Sequence, residues 1–342
     1  MFVNGLTDAA PSWARRGEMS KGRATGGAVP GPLAFLHARR VCRLRWCAVV
    51  HLPSPWSVVL AIVVGFALAE FSFFVTTVYL HRALAHRAIV LSPRTKAACR
   101  FLIWLGTGTR PRQWVAVHRK HHAFTDREGD PHSPFVFGYA AVQFGNVALY
   151  RRVARDPAVV ARYARDLPPD KWDRWLFDHA LLGLAIGILV LVVVLGWMPA
   201  LIAAAVYTAT YLLGGGAINA IGHWWGKRPF DNLATNNQWL AWLVAGEGLH
   251  NNHHAATTSA RLSFVKGEFD PGWWVVRALV KLRLATLRHT ELVVKAARRD
   301  GSQVSETPEL REVREARAAR KVSATREVSA TREVAASQGP MR

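Results

Sequence analysis

Cysteine is scarce. Cys42, Cys47 and Cys99 are the only three in 342 residues, and no two stand as CxxC. That excludes a thiolate zinc site, a rubredoxin-type iron site and a disulfide framework. Acidic residues are also few, 23 against 44 Lys and Arg, for a net charge of +21. A basic chain can bind nucleic acid, but no zinc-finger, homeodomain or RNP signature is present. HExxH is missing, which disfavours a zinc protease. The first fifty residues lack the clean apolar core and small-residue cleavage site of a signal peptide.

Apolar residues make up 51% of the chain, and they are gathered into runs. Residues 57–80 carry a single charge, Glu70, and 24 helical residues reach about 36 Å, enough for a bilayer core of about 30 Å. A carboxylate in such a run is costly and marks either function or a hydrogen-bonded place inside a bundle. Residues 101–109 are apolar but too short to span, and 135–150, with Gln143 and Asn146 inside, read as interfacial. Residues 176–197 and 200–221 predict an antiparallel helical hairpin turning at Met198-Pro199. Basic flanks around these runs fit the positive-inside rule better than nucleic-acid binding. Three segments follow: a basic stretch 1–50, disordered or aberrant; a membrane domain 51–285; and a basic low-complexity tail 286–342, with the repeats KVSATR and EVSATR.

The chemistry lies in the histidines. Eight of fourteen stand in three dense clusters: His81 and His86; His118, His121 and His122; His250, His253 and His254. A ninth, His223, has Asn219 four residues before it. Residues i, i+3 and i+4 share one helix face, so each HxxHH presents three rings within roughly a 100° arc. His81 and His86 are about 140° apart on an ideal helix, which suggests a helix end or two metals. Neutral imidazole ligates iron, copper, zinc and nickel. Nine imidazoles exceed one metal's capacity and fit two six-coordinate metals with open positions. Structural zinc takes four ligands and often sulfur. The clusters hold no acidic ligand, unlike soluble carboxylate-bridged di-iron bundles. What remains is an all-histidine di-iron, oxygen-activating site at a membrane surface. His37, His51, His132, His179 and His289 read as ordinary solvated or satisfied residues.

Four stretches, HRALAHR, WVAVHRKHHAFTDREGDPHSP, NAIGHWWGKRPFDN and GEGLHNNHH, occur in that order. With them the sequence resembles the integral-membrane fatty acid desaturases of the acyl-CoA Δ9 (stearoyl-CoA) type, over roughly residues 52–285. The resemblance implies an all-α membrane bundle of about four transmembrane helices under a cytosolic helical cap that holds two Fe ions. It implies His81, His86, His118, His121, His122, His223, His250, His253 and His254 as ligands, with Asn219 acting through a water. It implies a cis double bond placed in a long saturated acyl chain, at Δ9 in that type, with O2 as co-substrate. Electrons would originate from NAD(P)H and arrive through a separate ferredoxin, cytochrome b5 or reductase-type protein, since no Cys₄ pattern or haem-binding extension follows residue 285. The enzyme would be multi-pass, with its active site on the cytosolic face and no nucleic-acid partner.

Trp114, Arg119, Trp239 and Trp242 are candidate substrate contacts. Two departures bear on the expectation. The acyl-CoA members carry Arg-Asp directly before the second cluster, and Ala116 and Val117 stand there; the carrier is therefore CoA, a phospholipid or a carrier protein. The family also has two membrane helices before the first cluster, whereas residues 33–50 are broken by Arg39, Arg40, Arg43 and Arg45. Either residues 1–50 are not the native start or one helix is lost. The rival readings are a di-iron lipid hydroxylase and a non-catalytic membrane metal-binding protein.

Overall fold

The computed structural model describes residues 54–289. The expectations for residues 1–50 and for the repeats of the tail fall outside the described residues.

The helices begin on a repeated sequence device, a side-chain cap followed by proline. Ser54-Pro55 opens α1 (Pro55–Val75), Ser92-Pro93 opens α2 (Pro93–Thr107) and Ser133-Pro134 opens the short α4 (Pro134–Phe137). Each cap oxygen accepts a backbone N–H that would otherwise be orphaned, and proline at the first position gives up only an N–H that had no helical partner. Between them lies α3 (Pro111–Phe124), and α5 (Tyr139–Ala154) follows. Asp156-Pro157 opens α6 (Pro157–Tyr163). Two apolar helices, α7 (Ala180–Leu195) and α8 (Trp197–Trp224), come next. The chain ends on short α9 (Gln238–Leu243) and α10 (His250–Ala255), then α11 (Pro271–Lys281), opened by Asp270-Pro271.

α1 does not stop at Val75. It continues as a π-helical stretch, Thr76–Ala85, so that the combined run of 31 residues is long and apolar enough to cross a membrane, as is α8 with 28. α7 has 16 residues, or about 24 Å. Val63, Phe71, Leu181, Leu189, Val193 and Val194 lie exposed along these helices. A face of that kind marks a membrane or a partner, and with two candidate spans it supports membrane association.

α1 packs along α8, α5 also packs on α8, and α2 on α7. Glycine sets the approach at Gly65, where an added Cβ would meet the carbonyl of Ala203, and at Gly216, where it would meet the carbonyl of Gln143. Across α1 and α8 the hydroxyls of Ser72 and Tyr207 (3.1 Å) and of Thr76 and Tyr211 (2.9 Å) are paired. Gly65→Leu is expected to force α1 off α8 at about 1–3 kcal/mol of stability, read as a lowered thermal midpoint of the detergent-extracted protein.

Three sequence expectations change. The hairpin turns at Gly196 (φ 81) rather than at Met198-Pro199; Pro199 is absorbed into the first turn of α8, where no helical N–H is missed. Residues 101–107 are the second half of α2, which Gly108 stops in the left-handed region. The stretch 135–150 is two helices broken at Gly138, and its Gln143 side chain donates to the carbonyl of Leu213 at 2.9 Å. The helical fold also carries two short strands, β1 (Ile89–Leu91) and β2 (Ala285–Leu287), paired antiparallel with Val90 opposite Thr286. They carry the folded chain past residue 285, to the backbone bond between Ala260 and His289. Glu70 is part-buried, and its Oε1 has no hydrogen bond among the described residues.

Candidate metal centre

The π-helical stretch resolves the awkward spacing of the first cluster. An i→i+5 bond closes it, from the N–H of His86 to the carbonyl of His81 at 3.0 Å. Residues five apart then lie near one another, as at many π-bulges at functional sites. The two rings meet edge to face at 4.6 Å between centroids.

The nine histidines predicted from sequence converge as two groups. One holds His81, His86, His118, His122 and His253; the other holds His121, His223, His250 and His254. Within each, the ligand atoms lie within 4.8 Å of one another. In the first, the Nε2 separations are 2.7 Å for His86–His118, 3.1 Å for His118–His122, 2.9 Å for His122–His253 and 3.1 Å for His81–His253. In the second, His121–His254 is 3.3 Å and His250–His254 is 3.2 Å. A metal–imidazole bond of about 2.1 Å, doubled at a right angle, puts neighbouring nitrogens about 3 Å apart. The spacing therefore fits two metal ions, five imidazoles around one and four around the other.

Tautomers agree with that fit. Glu247 lies 2.8 Å from Nδ1 of His81, Asp130 2.9 Å from Nδ1 of His121, and Asp126 2.7 Å from Nδ1 of His223. A neutral imidazole that donates its Nδ1 proton to a carboxylate presents a bare lone pair at Nε2. Nε2 of His81 then faces the five-imidazole group and Nε2 of His121 and His223 the four-imidazole group, and a cation in each group removes the repulsion between lone pairs. Burial pushes His118, His122, His250, His253 and His254 well below the ordinary imidazole range, and the neighbouring rings add to it. These rings are neutral, the ligating form.

The supporting carboxylates were not read as site residues from sequence. Glu247 stands three residues before His250, a Glu-x-x-His spacing, yet its carboxylate reaches His81 instead, and it also contacts Thr77 and Arg82. Arg82 is itself buried and donates to both oxygens of Asp270 at 2.9 and 3.0 Å. Asp126 and Asp130 come from the turn after the second cluster. Asp126 takes positive φ (59), tolerable for Asp, and its N–H donates to Asp130 at 2.9 Å. Burial would raise the Asp130 carboxyl, but the His121 bond together with the nearby His121 and His132 rings and the His132 N–H holds the group down at about 2. The signal for Glu247 and Asp126 was their place about one turn from a histidine cluster; Asp130, eight residues past His122, carried none of that kind.

His132, read from sequence as ordinary, is buried, with its ring 4.9 Å from that of His121 and both ring nitrogens without a hydrogen bond among the described residues. Burial, with His121 adding, pushes it down to about 3.

A cavity of about 540 Å³ opens against the centre. Its wall includes His81, His118, His132 and His250, with Asn219 one turn before His223, and Phe73 and Tyr211. Of the candidate substrate contacts, Trp114 lines it and stacks on His118 at 4.9 Å with 14° between planes. Arg119, Trp239 and Trp242 are not on its wall. Arg119 donates to the carbonyls of Leu84, Ala85 and Tyr163 at 2.8–2.9 Å and pairs with Asp166, so it ties the second cluster to the end of the first. Partial burial would raise Asp166, but the bonds from Arg119 and Arg87 hold its carboxyl well below the usual range. Trp239 is exposed, and Trp242 stacks on Phe269 at 4.3 Å. Ala116 and Val117 are buried, Val117 on the cavity wall.

Comparison with known proteins agrees with this geometry. The family model "Fatty acid desaturase" matches residues 53–259. An acyl-CoA C20 Δ5-desaturase of Anemone leveillei is 33% identical over 62% of this chain and 68% of its own. A chloroplastic palmitoyl-monogalactosyldiacylglycerol Δ7 desaturase of Arabidopsis thaliana is 32% identical over 61% of this chain and 57% of its own, and a Δ9 acyl-lipid desaturase 2 of the same plant is 32% identical over 61% and 68%. The chain thus spans between 57 and 68% of the length of these relatives. Their names divide between Δ5, Δ7 and Δ9 positions and between CoA and lipid carriers, so the Δ9 type is one of several. With its matched span, its converging histidine clusters and its apolar helices, the chain belongs to the fatty acid desaturase family.

Proposed function

We propose that the protein is an integral-membrane acyl desaturase that introduces a cis double bond into a long saturated acyl chain, using O2 and electrons delivered by a separate protein. The observation that carries this reading is the pair of imidazole groups that meet at the wall of one partly apolar cavity. The nine histidines would hold two iron ions, with Asn219 placed to hold a water beside His223. Bound there, the iron pair supplies the oxidising power to break unactivated C–H bonds, which acid–base side chains cannot do.

The rest is the work of the chain. Phe73, Tyr211, Leu212 and Ile218 offer an apolar wall to an acyl chain, and Trp114, stacked on His118, presses it toward the histidines. Holding the chain in a shaped cavity selects which methylenes face the centre. Position 9 is the expected site, and cavity depth sets it. Phe73, stacked on Tyr211 at 4.9 Å on the cavity wall, is the residue to which we assign the limit on that depth. Phe73→Ala is expected to shift the product profile toward longer chains by two or more carbons, read by gas chromatography of total fatty acids.

Arg110, Arg151 and Arg155 lie on the same cavity wall. They supply the positive charge that Ala116 and Val117 do not, and they suit a phosphate-bearing carrier, CoA or a phospholipid. The net charge of +21 suits an acidic electron donor of ferredoxin or cytochrome b5 type.

The test is expression of the full chain in a host with suitable electron donors, with double-bond location in total fatty acids. New monounsaturated chains that vanish in His121→Ala support the reading. Hydroxylated lipid in place of unsaturated lipid overturns it.

A further inference from the structure

The two imidazole groups are unequal, five against four, and a tenth imidazole stands beside the smaller one. His132 is buried, with its ring 4.9 Å from that of His121, and it shares the cavity wall with His250 and Asn219. Its backbone N–H donates to Asp130 Oδ1 at 3.0 Å, the same carboxylate that holds Nδ1 of His121. One carboxylate therefore fixes the His121 ring and the backbone that carries His132. Yet Nδ1 and Nε2 of His132 have no hydrogen bond among the described residues. A buried polar group left without a partner costs its full desolvation, so two such atoms on one ring call for a partner that the protein itself does not supply.

We propose that His132 is a binding residue of the centre, holding by hydrogen bond a small ligand, water or a small anion, on the cavity side of the four-histidine group. The inference rests on the metal-binding reading above. A neutral imidazole has one N–H to donate and one lone pair to accept, which suits a small ligand that is itself bound to a metal ion and still has a free polar end. The alternative, a third metal ion among His121, Asp130 and His132, is disfavoured. Both oxygens of Asp130 are already engaged by His121 and by the N–H groups of Asp126 and His132.

The test uses the full-length protein loaded with cobalt(II) in detergent. Metal content is measured by mass spectrometry and azide binding by absorption titration. His132→Gln keeps a hydrogen-bonding group, and His132→Phe keeps a ring without one. The proposal expects two ions per chain in all three proteins. It expects azide to bind at least tenfold more weakly in His132→Phe, equivalent to about 1.4 kcal/mol, and within about threefold of wild type in His132→Gln. Equal azide affinity in the three proteins overturns it, as does equal loss in both variants. Fewer than two ions in either variant makes His132 a ligand or a folding residue and also overturns it, and three ions in wild type establish the third-site alternative. Wild-type protein that loads no metal defeats the metal-binding reading itself. Two ions with azide indifferent to His132 defeat this inference alone.

Discussion

His253→Ala is expected to remove desaturated product to below one hundredth of wild type and to lower bound metal from two ions per chain to one or none. His253 is fully buried on α10, and its Nε2 stands 3.1 Å from His81 Nε2 and 2.9 Å from His122 Nε2. It therefore joins the π-helical end of α1 to α3 across 172 and 131 residues of sequence. Alanine deletes one inward nitrogen and leaves a void where its ring was, so the four remaining imidazoles of the group lose the contact that closes their set around a cation. Iron per chain, measured beside fatty-acid products from the same membranes, checks this. His179→Ala is the control, since His179 lies outside both groups, and both readouts should stay at wild type. Full metal content with full activity in His253→Ala would remove the metal assignment.

Why some of this was legible in the sequence and some was not follows from local geometry. An HxxHH triplet needs only helical periodicity to put three rings on one face, so the convergence of the two HxxHH clusters was legible. HRALAH did not, because its meaning depends on a π turn that no local preference announces; on an α-helix His81 and His86 would diverge. The hairpin of α7 and α8 was legible from two apolar runs, but not its corner. Met198-Pro199 looks like a turn in isolation, whereas Gly196 has the positive φ a sharp turn needs, and proline is harmless in a first helical turn.

The supporting carboxylates escaped for a different reason. Glu247 has the spacing to point with His250, but the fold aims it at His81, 166 residues away in sequence. Arg119, basic and next to His118, looked like a headgroup contact; its guanidinium is spent on the carbonyls of Leu84 and Ala85 and on Asp166. In both cases tertiary contact decides the partner. Charge beside a histidine cluster is thus better evidence for a supporting role than for a substrate contact, unless the side chain is also on the cavity wall, as Arg110, Arg151 and Arg155 are.

Asp130→Ala is expected to be the most damaging change outside the nine histidines. Asp130 accepts from Nδ1 of His121 at 2.9–3.0 Å and from the N–H groups of Asp126 (2.9 Å) and His132 (3.0 Å). Asp126 in turn takes Nδ1 of His223 at 2.7 Å and the hydroxyl of Ser133 at 2.8 Å. One carboxylate therefore orients two of the four rings of the smaller group, one directly and one through the turn it folds. Loss of a carboxylate behind a ligating histidine costs roughly 10–100-fold in metal affinity. Here two ligands are affected, so the upper end of that range is expected for one ion and little change for the other. Two backbone N–H groups are also left without an acceptor, at about 1–3 kcal/mol each if they stay dry. Asp130→Asn keeps one acceptor oxygen and should fall between wild type and alanine. Chelator competition on the iron-loaded protein checks this: one ion should be stripped at 10–100-fold lower chelator while the second holds. Equal weakening of both ions, or none, would show that the carboxylate does not govern the four-histidine group.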